Sequence, residues 1–129
     1  LLHDYGHFIL EDPNDLVKKK LDGKHEEIGY EYLKKFFKED VVEPIKYHVK
    51  AKRYLARSKK YYNQLSKASK ISLELQGGIL NKKESNDFEK NKLFIDAVKL
   101  RKFDELAKKT NIKMKSINQY EKLLHSQLL

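Results

Sequence analysis

Cysteine is absent from this sequence. That excludes disulfide scaffolds, thiolate metal sites and cysteine nucleophiles, and leaves nitrogen and oxygen as the only metal donors. Long apolar runs are absent too. None approaches the ~20 residues that cross a bilayer, so no membrane span is expected. No signal peptide is visible, and a cytoplasmic location is expected. The chain opens at Leu1 and not at Met, as a fragment or a processed product would. Arginine is scarce: Arg53, Arg57 and Arg101 are the only three, so 25 of the 28 basic side chains are lysine. Arginine is the preferred residue for bidentate phosphate and base contacts. The net charge of +9, spread on lysines that often neighbour Glu or Asp, therefore argues for solvated helix faces and against a nucleic-acid partner. The same charge suits an anionic small molecule.

What is present fits one domain. The chain has 129 residues, 40% of them hydrophobic, and 14 aromatics, enough for one modest core. Helical periodicity dominates, no segment alternates as a strand, and the expected class is all-α. Leu1 to Leu10 reads as the end of a buried helix, broken by Glu11-Asp12-Pro13-Asn14-Asp15. Lys18 to Lys24 is polar, with a turn signal at Gly23. A helix over His25 to Phe37 aligns Ile28, Tyr32, Leu33, Phe36 and Phe37. A second runs from Val41 to Leu55, with Pro44 in its first turn. A short helix covers Lys59 to Leu65. Ser66 caps a helix over Lys67 to Gln76, which Gly77-Gly78 stops. One long helix is expected over Glu84 to Lys108, and a last one over Lys115 to Leu128.

Histidines carry the chemical signal. His3, His7, His25 and His48 fall in the first 48 residues, and His125 reads as a surface residue. His3 is followed directly by Asp4. An aspartate on a buried helix needs a partner, and a metal ion supplies one. Imidazole and carboxylate suit iron, manganese or zinc. His3 and His7 share a helix face at i and i+4. Lys52 lies four residues after His48, and Arg101 three before Asp104, each on one face with a potential ligand. Ser69, Ser72 and Gln76 recur at i, i+3 and i+7 as a polar stripe on a helix that otherwise packs with Ile71 and Leu75. A bound anion needs such cations and donors. Taken alone, the residues define a metal site beside an anion pocket.

The order His3-Asp4, His25, His48, Asp104 resembles the HD-domain superfamily. Leu2-His3-Asp4-Tyr5-Gly6-His7, His25-Glu26-Glu27-Ile28-Gly29, His48-Val49-Lys50-Ala51-Lys52-Arg53-Tyr54-Leu55, Ser72-Leu73-Glu74-Leu75-Gln76-Gly77-Gly78 and Leu100-Arg101-Lys102-Phe103-Asp104 narrow the likeness. Together they resemble the mixed-valent diiron oxygenases of phosphonate catabolism, typified by 2-amino-1-hydroxyethylphosphonate dioxygenase, with myo-inositol oxygenase more distant. The resemblance spans essentially the whole chain and implies one HD-domain helical bundle over residues 1–129, lacking its N-terminal segment.

It also implies two iron ions, Fe2+ and Fe3+, with dioxygen as co-substrate and a small organophosphonate as substrate. Asp4 would bridge the irons. His3 and Asp104 would bind one, with a further histidine upstream that this chain does not contain. His25 and His48 would bind the other. Asp4 and His7 are the implied catalytic residues. His7, Lys52, Ser69, Ser72, Gln76 and Arg101 are the implied substrate contacts. The implied products are phosphate and a carboxylic acid, glycine for the type substrate. Three other readings remain open at this point: a metal-dependent HD-domain phosphohydrolase, a non-catalytic helical module that binds protein or nucleic acid, and an inactive fragment whose lost N-terminus leaves the site incomplete.

Overall fold

The computed structural model describes residues 1–9, 24–109, 111 and 113–129. Among these, eight α-helices form: α1 (Tyr5–Ile9), α2 (His25–Leu33), α3 (Glu39–Leu55), α4 (Lys59–Gln64), α5 (Lys67–Leu75), α6 (Lys82–Glu89), α7 (Phe94–Ala107) and α8 (Glu121–Ser126), the last preceded by a 3-10 turn over Ile117–Tyr120. The expected all-α class is what forms. The only extended pairing among the described residues is an isolated bridge between Phe37 and Leu128. The expected break at Glu11–Asp15 and the turn at Gly23 lie outside the described residues.

Helix α3 is the spine. Its buried residues Val42, Ile45, His48, Val49, Ala51 and Lys52 recur at helical spacing, and it packs against both α2 and α7. Three small apolar clusters surround it. Leu33, Val42 and Ile45 form one; Ala51, Leu80, Phe88 and Ala97 another; Ala56, Leu65 and Leu73 the third. Each fully buried Val, Leu, Ile or Phe in these clusters contributes about 1.5–3 kcal/mol. His48 and Lys52 sit in the same stripe, so the helix face that holds the fold together also carries chemistry.

Two glycines set the spacing of α1 and α2. A Cβ on Gly6 would overlap the His25 carbonyl oxygen, and one on Gly29 would meet the Gly6 nitrogen at 3.1 Å. The two backbones therefore touch, which brings the residues before α1 against the start of α2. Helix α5 ends where expected, at Gly77 and Gly78, whose φ values of 106° and 73° suit glycine. Arg53 on α3 locks that turn by donating to the carbonyls of Gly78 at 2.7 Å and Gly77 at 3.2 Å.

Several expected boundaries and faces differ. The long helix over Glu84 to Lys108 is two helices. Asn91 breaks it: its Oδ1 accepts from the Leu93 N–H at 2.8 Å, a local bond that competes with continued helix. Asn81, with Glu84, forms a reciprocal cap at the start of α6. Helix α3 begins at Glu39, so Pro44 falls in the second turn, where its missing N–H leaves the Asp40 carbonyl without its intrahelical donor. The final helix is shorter than Lys115 to Leu128, because its start is the 3-10 turn. Helix α1 buries only Gly6, with Phe8 and Ile9 exposed. Tyr32, Phe36, Ile71, Leu75, Phe103 and Leu106 are likewise exposed. The buried face of α5 is Leu73, and that of α7 is Ala97, Arg101 and Asp104.

Candidate metal centre and anion pocket

Four elements converge on Asp4. Its Oδ1 lies 3.5 Å from His25 Nε2 and 3.8 Å from His48 Nε2, and those two nitrogens are 3.1 Å apart. Its Oδ2 lies 3.2 Å from His3 Nε2, which in turn is 3.1 Å from Asp104 Oδ1. Two donors about 2.1 Å from one ion, at 90–110° to each other, stand about 3.0–3.4 Å apart. The spacings match that figure or exceed it by a few tenths of an ångström. One carboxylate thus offers each oxygen to a different donor set. His7 adds to the first: its ring stacks on His25 with centroids 4.0 Å apart, and ligand atoms of Asp4, His7 and His25 lie mutually within 4.8 Å.

Protonation fits a cation. His48 Nδ1–H donates to the Ile45 carbonyl at 2.6 Å. That fixes the tautomer and turns a lone pair on Nε2 toward Asp4 and His25. Burial, with His25 and His3 nearby, pushes His48 down to about 3, so this lone pair stays available. His3 Nε2 is buried yet makes no well-directed hydrogen bond. Burial alone would lower its pKa, but the Asp104 and Asp4 carboxylates outweigh burial and raise it to about 9. Asp4, expected on a buried helix, has a side chain that is about half exposed. Its partial burial would raise its pKa; the His25 and His3 imidazoles overcome this and hold its carboxyl well below the usual range. A concentration of negative charge that draws a proton onto His3 is also one that attracts a metal.

Asp104 is positioned by its own helix. Arg101 Nη1 donates to Asp104 Oδ2 at 2.7 Å, leaving Oδ1 toward His3. Arg101 also donates to Glu105 Oε1 and, at 3.1 Å, from Nε to the Tyr61 hydroxyl. Its N–H groups are thus engaged by three partners. Tyr61 and Glu105 were not anticipated. The Arg101–Glu105 spacing of four residues was a legible signal, whereas Tyr61 comes from another helix.

A cavity of about 350 Å³ opens beside the cluster, lined by His7, Lys52, Ser69, Ser72, Gln76 and Arg101 among others. Lys52 Nζ donates to Ser72 Oγ at 2.6 Å and Gln76 Oε1 at 3.2 Å. Burial, then Arg101 and Lys108, lower its pKa to about 8. A larger hollow of about 510 Å³ lies behind His3, walled chiefly by apolar residues such as Leu2, Phe37, Leu100 and Leu124. It has no comparable ligand cluster, and the chemistry belongs to the smaller cavity. His125 is exposed on α8, as expected of a surface residue.

An all-α bundle that gathers His3 and Asp4 from the turn before α1, His25 from α2, His48 from α3 and Asp104 from α7 defines a helical domain class with a candidate metal site. The HD domain family matches residues 1–110, and the chain belongs to it. Particular relatives narrow this. The chain is 43% identical over 123 residues to hydroxymethylphosphonate dioxygenase of Gimesia maris, covering 93% of this chain and 61% of that protein. It is 42% identical over 113 residues to the glycine-betaine-forming [1-hydroxy-2-(trimethylamino)ethyl]phosphonate dioxygenase of Leisingera caerulea, covering 87% and 58%. An uncharacterized protein of Acanthamoeba polyphaga mimivirus is 38% identical over 127 residues, covering 95% and 58%. The chain spans about three fifths of the length of these curated relatives. No helix among the described residues is long and apolar enough to cross a membrane.

Proposed function

We propose that the protein is an iron-dependent oxygenase that cleaves the C–P bond of a hydroxyphosphonate. One hydroxyphosphonate and one dioxygen balance one carboxylic acid and one phosphate; a 2-amino-1-hydroxyethyl substrate would yield glycine. The observation that carries the reading is Asp4, whose two oxygens face separate donor sets beside a cationic pocket. The similarity to two phosphonate dioxygenases supports it. His25, His48 and Asp4 would hold one iron, and His3, Asp104 and Asp4 the other. When bound, the iron pair supplies Lewis acidity and dioxygen activation.

The remaining roles fall to side chains. Lys52 presents a fixed ammonium to the phosphonate dianion, held in place by Ser72 and Gln76. Ser69 lies on the same wall. Arg101 contributes its charge to the cavity while it orients Asp104. His7, stacked on His25, is within reach of the cavity to exchange a proton with a substrate oxygen. A cytoplasmic location belongs to the same proposal.

The test uses the full-length, iron-loaded protein. Phosphate release from hydroxymethylphosphonate and from [1-hydroxy-2-(trimethylamino)ethyl]phosphonate is followed in air and under anaerobic conditions. Release that requires dioxygen is expected, with His48→Ala losing about half of the bound iron and nearly all turnover. No phosphate from either phosphonate, with dioxygen-independent release from a phosphomonoester, would instead identify a metal-dependent phosphohydrolase.

A further inference from the structure

The proposed activity leaves the substituent on the hydroxyl-bearing carbon open, and identities of 43% and 42% do not separate a neutral from a cationic one. The pocket does. Its charged groups occupy different depths. Lys52 is 2% exposed and lies at the floor. Lys108, one residue beyond α7, lines the same cavity with a side chain that is 50% exposed, and so stands at the mouth. Its Nζ lies 3.8 Å from Asp104 Oδ2 and 3.7 Å from Glu105 Oε1. Both carboxylates already take shorter bonds from Arg101. Arg101 is thus the nearer partner of both acids, and Lys52 has only neutral partners. Among the residues that line the cavity, the cations Lys52, Arg101 and Lys108 outnumber the carboxylates Asp4 and Asp104, so the lining carries a net positive charge.

We infer that Lys108 is a specificity-determining residue, which tightens binding of hydroxyphosphonates with a neutral or anionic substituent and disfavours those with a quaternary ammonium. The inference rests on the function proposed above. A sphere of about 350 Å³ is roughly 9 Å across, so any substituent held in the cavity lies within that distance of the mouth. Over that span in a partly enclosed site, like charges repel with little screening. The same ammonium attracts the phosphonate dianion, so the two substrate types feel it differently.

The experiment measures anaerobic equilibrium binding to the full-length, iron-loaded protein, which requires no turnover. The probes are hydroxymethylphosphonate and [1-hydroxy-2-(trimethylamino)ethyl]phosphonate, and the readout is the ratio of their Kd values. Wild type is expected to favour the first by about tenfold or more. Lys108→Gln should cut that preference about tenfold, and Lys108→Arg should retain it. Iron content and thermal midpoint confirm that the variants are intact. A ratio unchanged within about twofold in Lys108→Gln would overturn the inference. So would failure of wild type to bind either phosphonate, or tighter binding of the quaternary ammonium compound by wild type. A shifted ratio in a protein that releases no phosphate in air would retain Lys108 as the selector and refute the oxygenase.

Discussion

On one side of Asp4 stand His25 and His48, with side chains 5% and 2% exposed. On the other stand His3 and Asp104, surrounded by Arg101, Glu105, Tyr61 and Lys108. The first flank is held by packing. Helix α3 buries His48 among Ile45, Val49 and Lys52, a backbone carbonyl fixes its ring, and the Gly6–Gly29 contact delivers Asp4. The second is held by charge. Its carboxylates and guanidinium are buried only because each compensates another. The pKa values separate in the same way: burial drives His48 to about 3, whereas carboxylates lift His3 to about 9. Shape errors should therefore damage the first flank, and unpaired charge the second.

The largest break of this contrast is Gly6→Ala. The new methyl group overlaps the backbone of His25, and no side-chain rotation relieves it. Urea unfolding should show a loss of about 4 kcal/mol, at the upper end for overpacking. If the protein holds the two irons proposed above, both should be lost, because Asp4 faces both donor sets. Gly29→Ala, with its closest contact at 3.1 Å, should cost less.

Arg101→Met attacks the other flank. It leaves Asp104 and Glu105 as buried or half-buried acids without their shortest partner. A loss of about 3 kcal/mol is expected, together with one of the two irons proposed above. Retention of both irons would show that Asp104 does not depend on Arg101 for its position.

The smallest effect has the opposite sign. Lys52 has a folded pKa of about 8, against 10.5 when unfolded. Between those values the unfolded chain keeps a proton that the folded protein releases, so wild-type stability rises with pH across that window. Below pH 8 the buried ammonium costs stability. Lys52→Met, without ligand, should therefore be more stable than wild type at pH 7 by about 2 kcal/mol. The advantage should vanish as the pH approaches 10.5. The same variant should lose phosphonate binding. Unfolding curves at pH 7 and pH 10 that differ equally in both proteins would refute the account.

Much of the site was legible as spacing. His48 to Lys52 and Arg101 to Asp104 are one-turn separations that any helix places on one face; Ser69, Ser72 and Gln76 do line one cavity, where Ser72 and Gln76 hold Lys52. The Ser66 cap and the Gly77-Gly78 stop were equally local. The pattern of apolar burial was less legible. Ile71, Leu75, Phe103 and Leu106 have core-like chemistry, yet they face outward because the stripes of α5 and α7 that meet α3 are Leu73 and Ala97–Arg101–Asp104. Asn91 broke a helix that the periodicity carried straight through, since one side-chain bond there outweighs a weak helical preference.

The sequence by itself determined the all-α class, the helical faces that carry His25, His48 and Asp104, and the donor chemistry, because these depend on periods of three to four residues and on side-chain type; His3 and Asp4, expected on a buried helix, lie instead in the turn before α1. Only the tertiary structure decided that Asp4 turns one oxygen to His25 and His48 and the other to His3 and Asp104. Only the tertiary structure, likewise, brought Tyr61 onto Arg101 and Lys108 to the pocket mouth. Those relations join helices far apart in the chain, and they follow from how closely two glycine backbones approach and how buried charges pair, which no local spacing encodes.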